Sequence, residues 1–310
     1  MKVRMKRFLF LLVFISLWTG IASAHARDRS RFFSPPQFGV RVYRDLPYQP
    51  TAHERQRLDL YVPENSESPL PLIIWIHGGG WRYGTKEDCP VLPWTREGYV
   101  VASINYRLSQ DARFPAQIED CKAAIRWLRT NAAQYKIDPD RVAAWGGSAG
   151  GHLASLLGTT GDVTEWEQGH AAGSSRVQAV IDWFGRADLT QACTDPVLGD
   201  SPSALLIGGS GPGFAELARK ASPITHVSAD DPPFLIMHGD MDNVVPLSQS
   251  RAFAEALRAA GVKVKLVVLK GVGHGGVEFK QPEQAKAIDS FLNEVIGRQK
   301  TAASGQAMPE

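Results

Sequence analysis

The chain has 310 residues, 44% of them hydrophobic and 21% charged, with a formal net charge of +2. That length and balance suit one large folded core or two modest ones and exclude a disordered or fibrous polymer. Three cysteines, Cys89, Cys121 and Cys193, are too few for a disulfide scaffold, allow at most one bridge, and include no metal-like Cys-x-x-Cys pair.

In chain order, residues 1–24 carry Lys2, Arg4, Lys6 and Arg7, then an apolar stretch from Phe8 to Trp18, then Ala22-Ser23-Ala24. This is the layout of a secretory signal peptide cleaved after Ala24. The apolar stretch is too short for a comfortable membrane span, so the expectation is an exported chain, periplasmic or secreted, with no stable membrane anchor. Losing the leader's four bases and no acid moves the formal charge from +2 to −2. With no Lys/Arg run in what remains, nucleic acid and anionic membranes are excluded as partners on electrostatic grounds.

A polar tail is expected over residues 25–37, a single domain over 38–297 and a second tail over 298–310. Within the domain, "GVRVYRDL" and "LDLYV" (58–62) alternate and predict antiparallel edge strands. Further apolar runs predict strands at 71–78, 99–106, 141–147, 177–184, 233–240 and 262–269. Between them "PAQIEDCKAAIRWLRTNAAQY" (115–135) repeats apolar residues at helical spacing, with Cys121 among them as a small buried hydrophobe. "SRAFAEALRAAG" ends on Gly261 as a helix C-terminus does, and "EQAKAIDSFLNEVIG" closes the pattern. Strand and helix alternate, so the fold class is α/β: a mostly parallel sheet covered by helices on both faces. Residues 158–176 and 185–232 break the rhythm. They are expected as excursions that shape a pocket at the carboxyl ends of the strands.

One corner stands out. "AAWGGSAGGHLASLL" (143–157) sets Ser148 between glycine pairs where a strand turns into a helix. Glycine tolerates positive φ and close backbone approach, and this is the context of a nucleophile elbow. A serine hydroxyl is a weak nucleophile unless a histidine takes its proton and an acid orients that histidine. After later strands, "HGDMDNVVP" offers Asp240 and Asp242, between which spacing does not choose, and "GVGHGG" offers His274. An oxyanion needs preset N–H donors. The three glycines of "HGGGW" (77–81) and the amide of Ala149 are placed to supply them. His77 reads as structural, and Trp81 either lines an acyl pocket or packs as a core aromatic.

Together "HGGGW", "NYRLS", "FPAQIEDCKAAIRWLR", "IDPDRVAAWGGSAGGHLA", "ASPITHVSADDPPFLIMHGDMDNVVP" and "GVGHGG" resemble the α/β-hydrolase esterases and lipases with a His-Gly-Gly-Gly motif. Within them the likeness is to the bifunctional feruloyl and acetyl xylan esterase (BD-FAE) branch, and it runs over nearly all of 38–297. The resemblance implies an eight-stranded α/β-hydrolase fold with no cofactor and no metal. It places the nucleophile on Ser148, the acid on Asp242, the base on His274 and the oxyanion donors on the amides of Gly79, Gly80 and Ala149. The expected activity is that of an exported serine carboxylic ester hydrolase acting on short-chain, acetyl or feruloyl esters, of small molecules or plant polysaccharide. Two alternatives share the scaffold: an amidase or arylformamidase using the same triad, and a non-catalytic binding protein.

Overall fold

Eight strands form one sheet in the order β1-β2-β4-β3-β5-β6-β7-β8: β1 (Val40–Pro47), β2 (Arg57–Pro63), β3 (Leu70–Ile76), β4 (Val100–Ile104), β5 (Ile137–Gly147), β6 (Ala179–Trp183), β7 (Phe234–Gly239) and β8 (Val264–Leu269). This computed structural model describes residues 39–50, 53–64, 66–167, 173–191 and 201–297. The leader, both expected tails, Cys193 and parts of both excursions lie outside the described residues. The β1–β2 and β2–β4 pairs are antiparallel, and all the others are parallel. The alternating first two segments therefore form the antiparallel edge, and the continuous apolar runs form the interior.

Side chains alternate across β3. Leu72, Ile74 and Ile76 join one core, with Ile118 and Ile125 of α1 (Ala116–Thr130), Leu153 and Leu157 of α2 (Ala149–Thr159), and Phe253 and Leu257 of the helix Leu247–Ala259. Ile73 and Trp75 join the other, with Ile288, Phe291 and Leu292 of the C-terminal helix Pro282–Val295. A two-residue period along a strand buries both faces only if helices cover both. Each fully buried Leu or Ile contributes about 2 kcal/mol, so the two cores fix the strand register.

Two boundaries differ from the sequence expectation by four residues or more. Helix α1 ends at Thr130 rather than near Tyr135, because Asn131 Nδ2 donates to the Trp127 carbonyl and closes the last turn. Strand β5 starts at Ile137 rather than 141, pairing with Leu70 before its register shifts at Val142. Cys89 and Cys121 are both free and buried, Cys121 on the inner face of α1. The described part of the second excursion holds two six-residue helices, α3 (Pro202–Ile207) and α4 (Ala215–Lys220), so the later helices become α5 (Leu247–Ala259) and α6 (Pro282–Val295).

Candidate active site

Ser148 joins β5 to α2 with φ 55° and ψ −118°. For a residue with a Cβ this conformation is strained by about 1–3 kcal/mol and persists only where the surroundings impose it. Here backbone presses on backbone. A Cβ on Gly146 would run into the Gly150 carbonyl group, and one on Gly150 would run into the Ile76 carbonyl oxygen at the end of β3. Gly147 is different, since a Cβ there would meet only ordinary contacts beyond 3.5 Å. The Ser148 amide donates to the Trp183 carbonyl at 2.9 Å, which leaves its side chain directed away from the ladder.

Three side chains from three loops meet at this corner. Ser148 Oγ lies 2.8 Å from His274 Nε2, and His274 Nδ1 lies 2.7 Å from Asp242 Oδ2. The carboxylate only accepts, so Nδ1 carries the hydrogen and Nε2 is free to accept the seryl proton. Asp242 Oδ1 accepts from the Val244 and Val245 amides, each at 2.8 Å. The Asp242 side chain is fully buried. Burial alone raises its pKa, but the hydrogen bonds from His274, Val245 and Val244 outweigh that and hold the carboxyl below its ordinary range. It is therefore an anion at neutral pH, aimed at the histidine. Against the His274 ring lies Phe184, with centroids 4.7 Å apart.

The loop after β3 packs against the elbow. A Cβ on Gly78 would lie 2.8 Å from the Gly147 carbonyl oxygen and 3.5 Å from Ser148 Cβ. Gly79 and Gly80 take φ of 111° and 59°, the left-handed region that glycine enters freely. Among the described residues the amides of Gly79 and Gly80 donate to no protein acceptor. The Ala149 amide opens α2 and so donates to no helical carbonyl four residues back. Of the three, the Ala149 amide follows Ser148 directly, at the positive end of the α2 dipole, and the other two follow Gly78, whose Cβ position lies against Ser148.

His77 is buried. Its Nδ1 donates to the Gly78 carbonyl at 2.7 Å, and its Nε2 accepts from the Arg55 guanidinium at 3.1 Å. Burial lowers its pKa to about 4, so it braces the loop as a neutral group. Trp81 resolves as a packed aromatic, 4% exposed, with Nε1 donating to His152 Nδ1 at 3.2 Å. His152 in turn donates to the Ala221 carbonyl at 2.7 Å. Asp240 faces away from the triad: Oδ1 accepts from the Gly271 amide at 2.6 Å, and Oδ2 pairs with Lys270 at 3.2 Å.

Two residues that sequence reasoning passed over belong to the site. His238 Nε2 lies 2.8 Å from the Val245 carbonyl and 3.1 Å from Asp242 Oδ2, while Nδ1 accepts from Ser250 Oγ at 2.7 Å. Burial keeps its pKa below the ordinary histidine value. The signal was present in "HGDMDNVVP", four residues before Asp242. Phe184 has φ 45°, a conformation that no local pattern announces. Among the described residues no group of three or more His, Cys, Asp or Glu side chains could hold a metal ion.

The BD-FAE family model matches residues 58–257. The chain belongs to the BD-FAE family. The match spans Ser148 and Asp242 and ends before His274. Over 274 residues this BD-FAE chain is 33% identical to the esterase LipQ of Mycobacterium tuberculosis, covering 84% of the chain and 64% of LipQ. It spans about three-fifths of the length of the first curated relatives it matches. Among solved structures it is 35% identical to a truncated carbohydrate esterase from gut microbiota, with a TM-score of 0.78 over 84% of this chain and 98% of that one. A propionate-bound esterase from Thermogutta terrifontis follows at 29% identity and a TM-score of 0.67, over 84% of this chain and 96% of that one. The α/β-hydrolase fold is common to them.

Proposed function

We propose that the protein is an exported serine carboxylic ester hydrolase that removes short acyl groups, acetyl foremost, from carbohydrate esters. The observation that carries the reading is the continuous hydrogen-bonded line from Ser148 Oγ through His274 to Asp242, beside amides that lack acceptors. Ser148 Oγ attacks the ester carbonyl as His274 Nε2 takes its proton, and buried Asp242 stabilises the imidazolium. The carbonyl oxygen becomes an anion held by the amides of Ala149, Gly79 and Gly80. His274 returns the proton to the departing alcohol, leaving an acyl-Ser148 ester. Water, deprotonated by the same histidine, then releases the acid and restores the serine.

The short-acyl preference is supported by the composition of the excursions, rich in Gly, Pro, Ser and Asp, and by a relative whose structure holds propionate. The carbohydrate reading is supported by the relative named a carbohydrate esterase, and export by the layout of residues 1–24. A series of p-nitrophenyl esters of increasing acyl length, run with wild-type and Ser148→Ala protein, tests the proposal. Turnover that is greatest for acetate to butyrate and absent in the variant is expected. Equal or better turnover with ten or more acyl carbons, or full activity in Ser148→Ala, overturns it.

A further inference from the structure

Beside the oxyanion loop three segments enclose a groove of about 520 Å³. One wall is Arg82 and Tyr83, which follow the loop glycines after Trp81. A second is Ser109, Gln110 and Arg113, and the third is the end of α3, with Leu205 and Gly208. The walls are joined by hydrogen bonds to backbone carbonyls. The Ser109 amide donates to the Trp81 carbonyl at 2.8 Å, Gln110 Nε2 to the Arg82 carbonyl at 2.9 Å, and the Phe114 amide to the Leu206 carbonyl at 2.9 Å. The loop glycines and α3, which carry two of the walls, also touch directly, because a Cβ on Gly80 would lie 3.3 Å from Pro202 Cβ at the start of α3.

The groove's charge is one-sided. Its lining holds two guanidinium groups and no carboxylate among the described residues. Among the described residues neither the Arg82 nor the Arg113 side chain has a hydrogen bond or ion pair, as is also true of Arg96, Arg251 and Arg258, whereas Arg44, Arg55, Arg107, Arg126, Arg129, Arg141 and Arg176 are all paired. The Arg113 stem is nevertheless held. Gly208, at φ 92°, leaves room for it, and a Cβ there would meet Arg113 Cδ at 2.6 Å. Tyr83 presents its ring at 68% exposure. Two unpaired, planar, permanently charged forks in one groove suit a carboxylate, and an exposed tyrosine ring suits the apolar face of a sugar ring.

We propose that this groove is a subsite for the alcohol part of the substrate, selective for a carbohydrate that carries a carboxylate, such as a uronic-acid-bearing oligosaccharide. The inference rests on the short-acyl reading above: with a small acyl group, the part of the ester long enough to reach past Gly80 is the alcohol. Arg82 and Arg113 bind the carboxylate, and Tyr83 supports the sugar beside it.

Two measurements keep this proposal separate from the hydrolase reading. The first compares kcat/KM for 4-acetoxybenzoate and its neutral methyl ester in wild type, Arg82→Gln, Arg113→Gln and the double variant. The ratio of charged to neutral ester should fall about tenfold with each single change and further in the double, and the wild-type ratio should fall as salt is added. A ratio equal in all four proteins overturns the subsite while leaving ester hydrolysis intact. The second titrates Ser148→Ala protein with xylotriose carrying one methylglucuronic acid and with plain xylotriose. Tighter binding of the acidic sugar, lost in the Arg82→Gln/Arg113→Gln background, supports the subsite even if no ester is turned over. Equal binding of the two sugars overturns it.

Discussion

His238 donates to the same Asp242 oxygen, Oδ2, that holds His274, at 3.1 Å against 2.7 Å. Asp242 is thus held by one imidazole from behind while it orients another in front. His238 has Ser250 on its far nitrogen and Val245 beside its near one, so its ring cannot turn without breaking a buried bond. It acts on the reaction through Asp242, as a positioning residue. We expect His238→Leu to lower kcat about tenfold with little change in KM, and His238→Gln, whose amide can reach Oδ2, to recover most of the loss. Steady-state kinetics on one short ester checks this, and equal kcat in the two variants would refute it.

The two aspartates of "HGDMDNVVP" have opposite surroundings, one buried against His274 and the other bonded to Gly271 and Lys270 at the surface. Asp242→Asn should lower kcat by roughly 10³ or more with little loss of melting temperature, since an amide can favour the wrong histidine tautomer. Asp240→Asn should cost less than about tenfold. Measuring both on the same ester decides the assignment, and the reverse ranking would move the acid to Asp240.

At the elbow, adjacent glycines should respond differently. Gly146→Ala forces backbone against backbone and should destabilise the fold by more than about 3 kcal/mol. Gly147→Ala meets only ordinary contacts with Phe184 and Trp75 and should cost less than about 1 kcal/mol. Denaturant titration of the two purified proteins distinguishes them. Similar midpoints would mean that the elbow is looser than its packing indicates.

Acid should weaken the fold through two buried imidazoles. Burial lowers His77 and His152 to about 4, against an ordinary 6.5. Between those values the unfolded chain takes up protons that the native one refuses, so stability falls as pH falls from 6.5 to 4. Each group contributes up to roughly 3 kcal/mol to that fall. Protonating His152 on Nδ1 also places a hydrogen against the Trp81 N–H. The melting temperature should drop by several degrees from pH 7 to 4.5, and His152→Gln should show a shallower slope. An unchanged slope would remove His152 from the account.

All eight strands were legible in the sequence, the interior ones because a buried strand writes its own apolar run and the antiparallel edge by its alternation, and the glycine spacing around Ser148 marked the corner because only a crowded turn needs it. The boundaries that moved were set by partners distant in sequence or by a single side chain: Leu70 extends β5 backward, and Asn131 stops α1. The choice between Asp240 and Asp242 was not contained in spacing, since both follow the same strand. It depends on which carboxylate the loop turns inward, and the Val244 and Val245 amides fix that. Phe184 was invisible because the groups its ring meets, Gly147, His274 and Gly275, come from loops distant in sequence. Trp81 read equally well as pocket or core, and its partner His152 lies 71 residues away.

Gly78, Gly146 and Gly150 make the reacting corner from main chain alone, with no side-chain volume to trim or enlarge. Variation in what the protein accepts therefore has nowhere to act at the corner itself. It is displaced to the rim, at Arg82, Tyr83, Arg113 and Leu205, where side chains stand in water and can be exchanged one at a time. Chemistry and choice of substrate are thus separately mutable. A library confined to those four rim positions should retain folded, reactive protein in most of its members, while one directed at the glycines should retain almost none.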